Sequence, residues 1–162
     1  MRAADIMTRN VVSVAPETLA SRIVTLCLRQ GTGGVPVVDR DHRIVGIIGQ
    51  GNLVRGSEDS AERRALWLRL LAAGMAGPEQ LAQSGTLTAD QIMSPDVVST
   101  SEAAPIEEVA QLLVDHDIDL LPVVHEDRLI GIIGRSDVLD AFVRMAKERQ
   151  QKTARRRRHA LP

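Results

Sequence analysis

The chain has 162 residues, 44% of them hydrophobic, but only one Trp, one Phe and no Tyr, so any core must be built from Val, Ile, Leu, Ala and Met. Its net charge of −1 hides a division: residues 1–143 carry a balance of −8 and residues 144–162 one of +7, so the body lacks the charge of a nucleic-acid binder. A single cysteine, Cys27, excludes an internal disulfide, the start MRAADIMTRN has no apolar targeting core, and no apolar run approaches the roughly 20 residues of a membrane span, so a cytoplasmic protein without a transmembrane segment is expected.

In chain order, VVSV at 11–14 is short and β-branched and predicts a strand. Pro16 and Glu17 then precede Leu19, Ile23, Leu26 and Cys27, which recur at helical spacing. VPVV and RIVGII, separated by a polar turn, predict a β-hairpin with both strands largely buried. Pro36 belongs at a strand start, because it cannot donate a ladder hydrogen bond. EDSAERRALWLRLLAAGM at 58–75 predicts an amphipathic helix with Leu66, Leu70 and Ala73 on one edge. Its Trp67 reads as a packing anchor or a partner contact, and Gly74 and Gly77-Pro78 end it. Thr88 is a candidate cap for a short turn.

From there the chain repeats itself. QIMSPDVVST at 91–100 matches DIMTRNVVSV at 5–14. Met7 to Met93 and Pro36 to Pro122 are both 86 residues apart, whereas Gly46 to Gly131 is 85. One residue is therefore missing from the second polar turn, HEDR against DRDHR. The second copy predicts a strand at 97–100 and a helix with Pro105 in its first turn and Ile106, Val109, Ala110 and Leu113 on one face. A hairpin follows, then a helix whose stripe is Val138, Leu139, Phe142, Met145 and Ala146. Each copy is a β-α-β-β-α unit of about 50 residues, small for independent stability. The expected fold is α/β, of α+β type, with two β-α-β-β-α units packed sheet to sheet. Residues 1–56 form the first unit, 57–90 an inter-unit helix and linker, 91–150 the second unit and 151–162 a basic, disordered tail, with the last helix fraying near Thr153.

The order IM-x₃-VVSV, helix, VPVVD, RIVGII, taken twice and closing on RLIGIIGRSD, resembles a pair of CBS (cystathionine beta-synthase) domains over about 5–55 and 91–143. ERRALWLRLLAAG is similar to a stretch found between the units of bacterial stand-alone CBS pairs. The resemblance implies two units related by a pseudo-twofold axis, and a regulatory or sensor module rather than an enzyme. It also implies homodimers, a regulated protein partner, and clefts that bind adenine nucleotides or S-adenosylmethionine, with no required cofactor. A ligand-free dimerisation or protein-interaction module of the same fold is the alternative.

The family's ligand motif is Gly-x-x-Thr/Ser-x-x-Asp/Asn. Here it reads Gly46 to Asn52 and Gly131 to Asp137. The terminal Asn52 and Asp137 match the position that holds ribose hydroxyls in the family, and an acceptor-only carboxylate suits that task. Gly49 and Gly134 depart from the motif, since neither supplies the hydroxyl that lies near phosphate. Gly134 permits close backbone approach, and N–H groups at the helix start could meet a phosphate instead. Arg135 and Ser136 stand where the first copy has Gln50 and Gly51, which makes the second motif the better place for an anion-bearing ligand. The candidate ligand residues are Asp137, Ser136, Arg135, Gly134, Val98, Pro122 and Asn52. Met93, Val97 and Ile118, with Met7, Val11, Val12 and Pro36 in the first copy, are further candidates for an adenine slot, although methionines there also suit core packing.

Other chemistry is not encoded. His42 and His125 fall in hairpin turns, and His116 lies among Asp115, Asp117 and Asp119 without a metal-loop spacing. Cys27 beside Leu26 reads as a core thiol. Arg155–Arg158 offer charge to nucleic acid, anionic lipid or an acidic partner, but with no aromatic residue nearby they form no stacking platform, so a solubilising end is the preferred reading.

Overall fold

A computed structural model describes residues 1–30, 34–49 and 88–159. The helix expected at 58–75, Trp67, Gln50, Gly51 and Asn52 lie outside them. The elements are α1 (Ala3–Ile6), α2 (Ala20–Gln30), β1 (Gly34–Val38), β2 (Ile44–Gly49), α3 (Ala89–Ile92), β3 (Thr100–Ser101), α4 (Ile106–Asp115), β4 (Leu120–His125), β5 (Arg128–Gly134) and α5 (Arg135–His159). They make an α/β fold of two β-α-β-β-α units.

Each unit is centred on an antiparallel hairpin, β1-β2 or β4-β5. Both hairpins carry a register irregularity at the same place, between Val37 and Val38 and between Val123 and Val124. The turns differ. His42 has φ 63°, closing a three-residue loop in which the Asp39 carboxylate accepts the Asp41 and Arg43 N–H groups, both at 2.9 Å. Glu126 and Asp127 both have positive φ, 50° and 63°, as a two-residue loop joining twisted strands requires. The missing residue of the second copy is thus the difference between two standard hairpin loops, and the flanking strands keep their pairing.

The strands expected at 11–14 and 97–100 are much reduced. The first shrinks to a single parallel bridge, Val14 to Val37, and the second to the two-residue β3 beside β4. Val11 and Val97 donate locally, to the Arg9 and Pro95 carbonyls, which removes the start of each segment from the ladder. Leu19 is exposed and precedes α2, so it is not part of the apolar face that Ile23 and Cys27 bury.

In α4 the expected Ile106, Val109 and Leu113 are buried, and Pro105 is the N-cap rather than a first-turn residue. In α5 the buried positions are Val138 and Ala141, with Met145 partly buried. Leu139 and Phe142, expected in the stripe, are 65% and 40% exposed, and Ala146 is exposed as well. The apolar residues of this helix cover more than one face, and only the 138–141–145 row meets α4, α1 and β5. The helix also continues to His159, past Thr153. Its last turns are rich in Lys, Arg and Gln, which are good helix formers, and cations suit the negative end of the helix dipole.

The two units interlock. Ala3, Ile6 and Met7 of the first repeat lie in the core of the second, with Ile106, Val109, Leu121, Val123 and Ile133. Ala89 and Ile92 of the second repeat lie in the core of the first, with Ile23, Val35, Val37 and Ile48. The backbone bonds obey the same exchange: Ala3 N–H to Ala104 C=O at 2.9 Å, and its counterpart, Ala89 N–H to Thr18 C=O, at 2.8 Å. Thr8 pairs with Ile132, and Ser94 with Ile47. Equivalent positions of the two repeats meet each other as well, since Arg43 bridges to Arg128 and Gly34 lies against Leu120. A residue can touch its own repeat-mate only near the axis that relates the repeats, so these two contacts mark the pseudo-twofold.

Candidate functional site

The exchange explains the glycines that open each motif. A Cβ on Gly46 would stand 2.2 Å from the Met93 sulfur, and one on Gly131 would stand 2.5 Å from that of Met7. Each glycine therefore makes room for the methionine of the other repeat. Met7 is buried and Met93 partly buried, so both serve as packing residues.

At the other end of the second motif, β5 stops at Gly134, paired with Leu120 at the start of β4, and α5 begins at Arg135. The Asp137 Oδ2 accepts the Gly134 N–H at 2.7 Å. This satisfies one of the donors that a helix start leaves without an intrahelical partner, and it places a negative charge where the helix dipole favours it. The same device recurs at α1 and α3, where Asp5 and Gln91 accept the N–H groups of Arg2 and Thr88 at 2.7 and 3.0 Å. Asp137 therefore has a structural task, and the bond uses only one of its two oxygens. The side chain is half-buried, so the remaining acceptor positions of Oδ1 can face a ligand.

Arg135 does not project freely. Its guanidinium donates to the Ile118 carbonyl at 3.0 Å and pairs with Asp117 and Asp119, each at 3.1 Å. Its own N–H donates to the Asp119 carbonyl at 3.3 Å. The acidic segment between α4 and β4 is thus an anchor for the start of α5. Ser136 is exposed beside it. An added Cβ on Gly134 would meet its neighbours at 3.5 Å or more, so the absent hydroxyl is not excluded by crowding.

The structure thus brings Gly134, Arg135, Ser136 and Asp137 together with Asp117 and Asp119. Val98 is half-buried against the second core, and Pro122 is fully buried opposite Ile132. The anchoring role of Asp117 and Asp119 was missed in the sequence; the only hint was that the first repeat has glycines, Gly31 and Gly33, at the equivalent positions. Among the described residues, grooves of about 460 and 480 Å³ are lined by first-repeat residues, the second also by Thr88 and Asp90, and neither touches residues 134–137. One runs between Val12–Ala15 and Arg22 and Leu26 of α2. Among the described residues no group of three or more His, Cys, Asp or Glu is placed to hold a metal ion, and no helix is long and apolar enough to cross a membrane. Cys27 is buried, and that burial pushes its thiol pKa up, away from thiolate chemistry.

Comparison with known families decides what this interlocked pair is. The CBS-domain model matches residues 3–59 and 89–144, more than half of the chain and one match per repeat. The chain belongs to the CBS-domain family. The CBS domain is a regulatory unit, not a catalytic one. The chain is 29% identical over 141 residues to the uncharacterized protein MJ1225 of Methanocaldococcus jannaschii, covering 85% of this chain and 46% of that protein. It thus spans less than half the length of that curated relative. The fold is shared with CBSX2, solved in complex with AMP, at a TM-score of 0.68 and 23% identity over 90% of this chain and 98% of that one. It is also shared with the CBS pair of MJ0100, solved with 5′-methylthioadenosine and S-adenosylmethionine, at a TM-score of 0.64 and 21% identity, covering 88% and 95%.

Proposed function

We propose that this CBS pair is a sensor module that binds an adenosine-containing ligand at the start of α5, with Asp137 holding the ribose. The observation that carries the reading is the half-buried Asp137 carboxylate, fixed through one oxygen by the Gly134 N–H and retaining acceptor capacity on the other. A preorganised acceptor loses little conformational entropy when it meets two ribose hydroxyls. In this reading Val98, partly buried against the second core, supplies apolar surface for the base. Two CBS pairs of the same fold carry adenosyl ligands, which supports the ligand class. Such a module regulates only if the ligand binds two conformations of module and partner with different affinity.

Calorimetric titration with AMP, ADP, ATP and S-adenosylmethionine tests the proposal. Binding of at least one ligand is expected, weakened about tenfold or more by Asp137→Ala through loss of a charge-assisted hydrogen bond, and less by Asn52→Ala. No heat and no melting shift with any of the four would reject the ligand. Unchanged affinity in the Asp137→Ala protein would remove that residue from the site.

A second reading is a homodimeric or partner-binding module that needs no ligand. The outer face of α5 favours it: Leu139, Phe142 and Val143 are 65%, 40% and 52% exposed at positions i, i+3 and i+4.

A further inference from the structure

We infer that the part of α5 beyond the CBS match is an arm that docks in the major groove of duplex DNA. The family match ends at residue 144, whereas α5 runs to His159. Met145 is the last residue of the helix packed against the second core, and residues 146–152 are all exposed. The helix therefore leaves the body after Met145 and continues for about 21 Å. Over residues 146–159 the sequence has seven Lys or Arg against one Glu, and its only apolar residues are Ala146 and Ala154. At 3.6 residues per turn, the positions of Lys147, Lys152 and the consecutive Arg155–Arg158 fall on all sides of the helix axis.

That distribution selects among polyanions. A membrane surface takes a helix with one apolar face, and this segment has none. Single strands are held by stacking bases on aromatic rings, and the segment has no Trp, Phe or Tyr. An acidic protein surface meets a helix from one side and leaves the cations of the other sides without a partner. The major groove of B-form DNA is about 12 Å wide, close to the diameter of a helix with its side chains, and has phosphates along both walls. Cations around the whole axis match those two walls. The major groove of A-form RNA is too narrow to admit the same helix. The body, residues 1–143, carries a balance of −8 and is repelled by phosphate, so the contact is confined to the arm.

The test is fluorescence anisotropy of the full chain with a labelled mixed-sequence DNA duplex, a duplex RNA of the same sequence, polyglutamate, and vesicles containing an anionic lipid. The DNA duplex is expected to bind at low salt. Contact with about four phosphates should weaken it about a hundredfold between roughly 50 and 200 mM salt. R155Q/R156Q/R157Q/R158Q should lose most of that salt dependence, and K147Q/K152Q about half of it. Glutamine keeps the helix propensity, and these positions lie beyond the last packed residue, so both variants should melt as the wild type does. No DNA binding at low salt, or an unchanged salt slope in the fourfold variant, would overturn the arm as a DNA contact. Duplex RNA bound as tightly as DNA would overturn the groove. Polyglutamate or anionic vesicles bound more tightly than DNA would overturn the choice of partner.

Discussion

Gly46 and Gly131 hold the same place in each motif and face the same neighbour, a methionine from the opposite repeat. Conformational freedom is not what those positions require. The requirement is space, because a methyl group on Gly46 would overlap the Met93 sulfur and crowd its Cγ and Cβ. Gly46→Ala is therefore expected to cost about 1–3 kcal/mol, the usual range for overpacking a core. In a Met93→Ala background the same exchange should cost much less, because the clashing atoms are gone. Urea denaturation of the four proteins in this cycle measures the coupling, and additive effects would show that the contact is not what selects glycine.

At the scale of elements, the four-residue helices α1 and α3 are too short to hold themselves, and each is secured by burial in the opposite unit. Ile6 and Met7 together withdraw enough apolar surface to contribute about 2 kcal/mol each to the second core. Removing residues 1–8 is thus expected to weaken the second unit rather than the first. Hydrogen exchange should rise in β4 and β5 before β1 and β2, and the reverse order would contradict the exchange. The repeat, the hairpins and the core faces of α2 and α4 were legible in the sequence, because β-branched runs and the spacing of Ile106, Val109 and Leu113 report local structure directly. The destination of α1 was not, because periodicity says which face is apolar and not which core receives it. The row Val138, Ala141 and Met145 was partly hidden by Leu139, Phe142 and Val143, which supply a second apolar face on the same helix. At the site, Asp137 was legible from its motif. The pairing of Arg135 with Asp117 was not, since it joins residues 18 apart in the chain.

Across the whole molecule, α5 carries an exposed apolar group between its acidic start and its mostly basic later turns. Its first turn carries Asp137, and Arg144, Lys147, Arg149 and Lys152 follow farther along, with the exposed Leu139, Phe142 and Val143 between. If that face joins two copies, sedimentation should show a dimer, and Phe142→Glu with Leu139→Glu should give a folded monomer with an unchanged melting curve at low concentration. A wild-type protein that sediments as a monomer at high concentration would leave the face to another partner. Neither Leu139 nor Phe142 is among the buried residues of the second core, so loss of fold is not expected.

The interlocking of the repeats also bears on the order in which the chain can mature as it leaves the ribosome. Residues 1–49 emerge before the second repeat, yet their core lacks Ala89 and Ile92 until translation has passed the start of that repeat. Ala3, Ile6 and Met7 wait longer still, since the strands and helix that cover them are made after Ala89 and Ile92. Domains commonly fold in turn during synthesis. Here neither repeat can finish before the other has begun, so the nascent repeats must carry incomplete apolar surfaces until both halves close together.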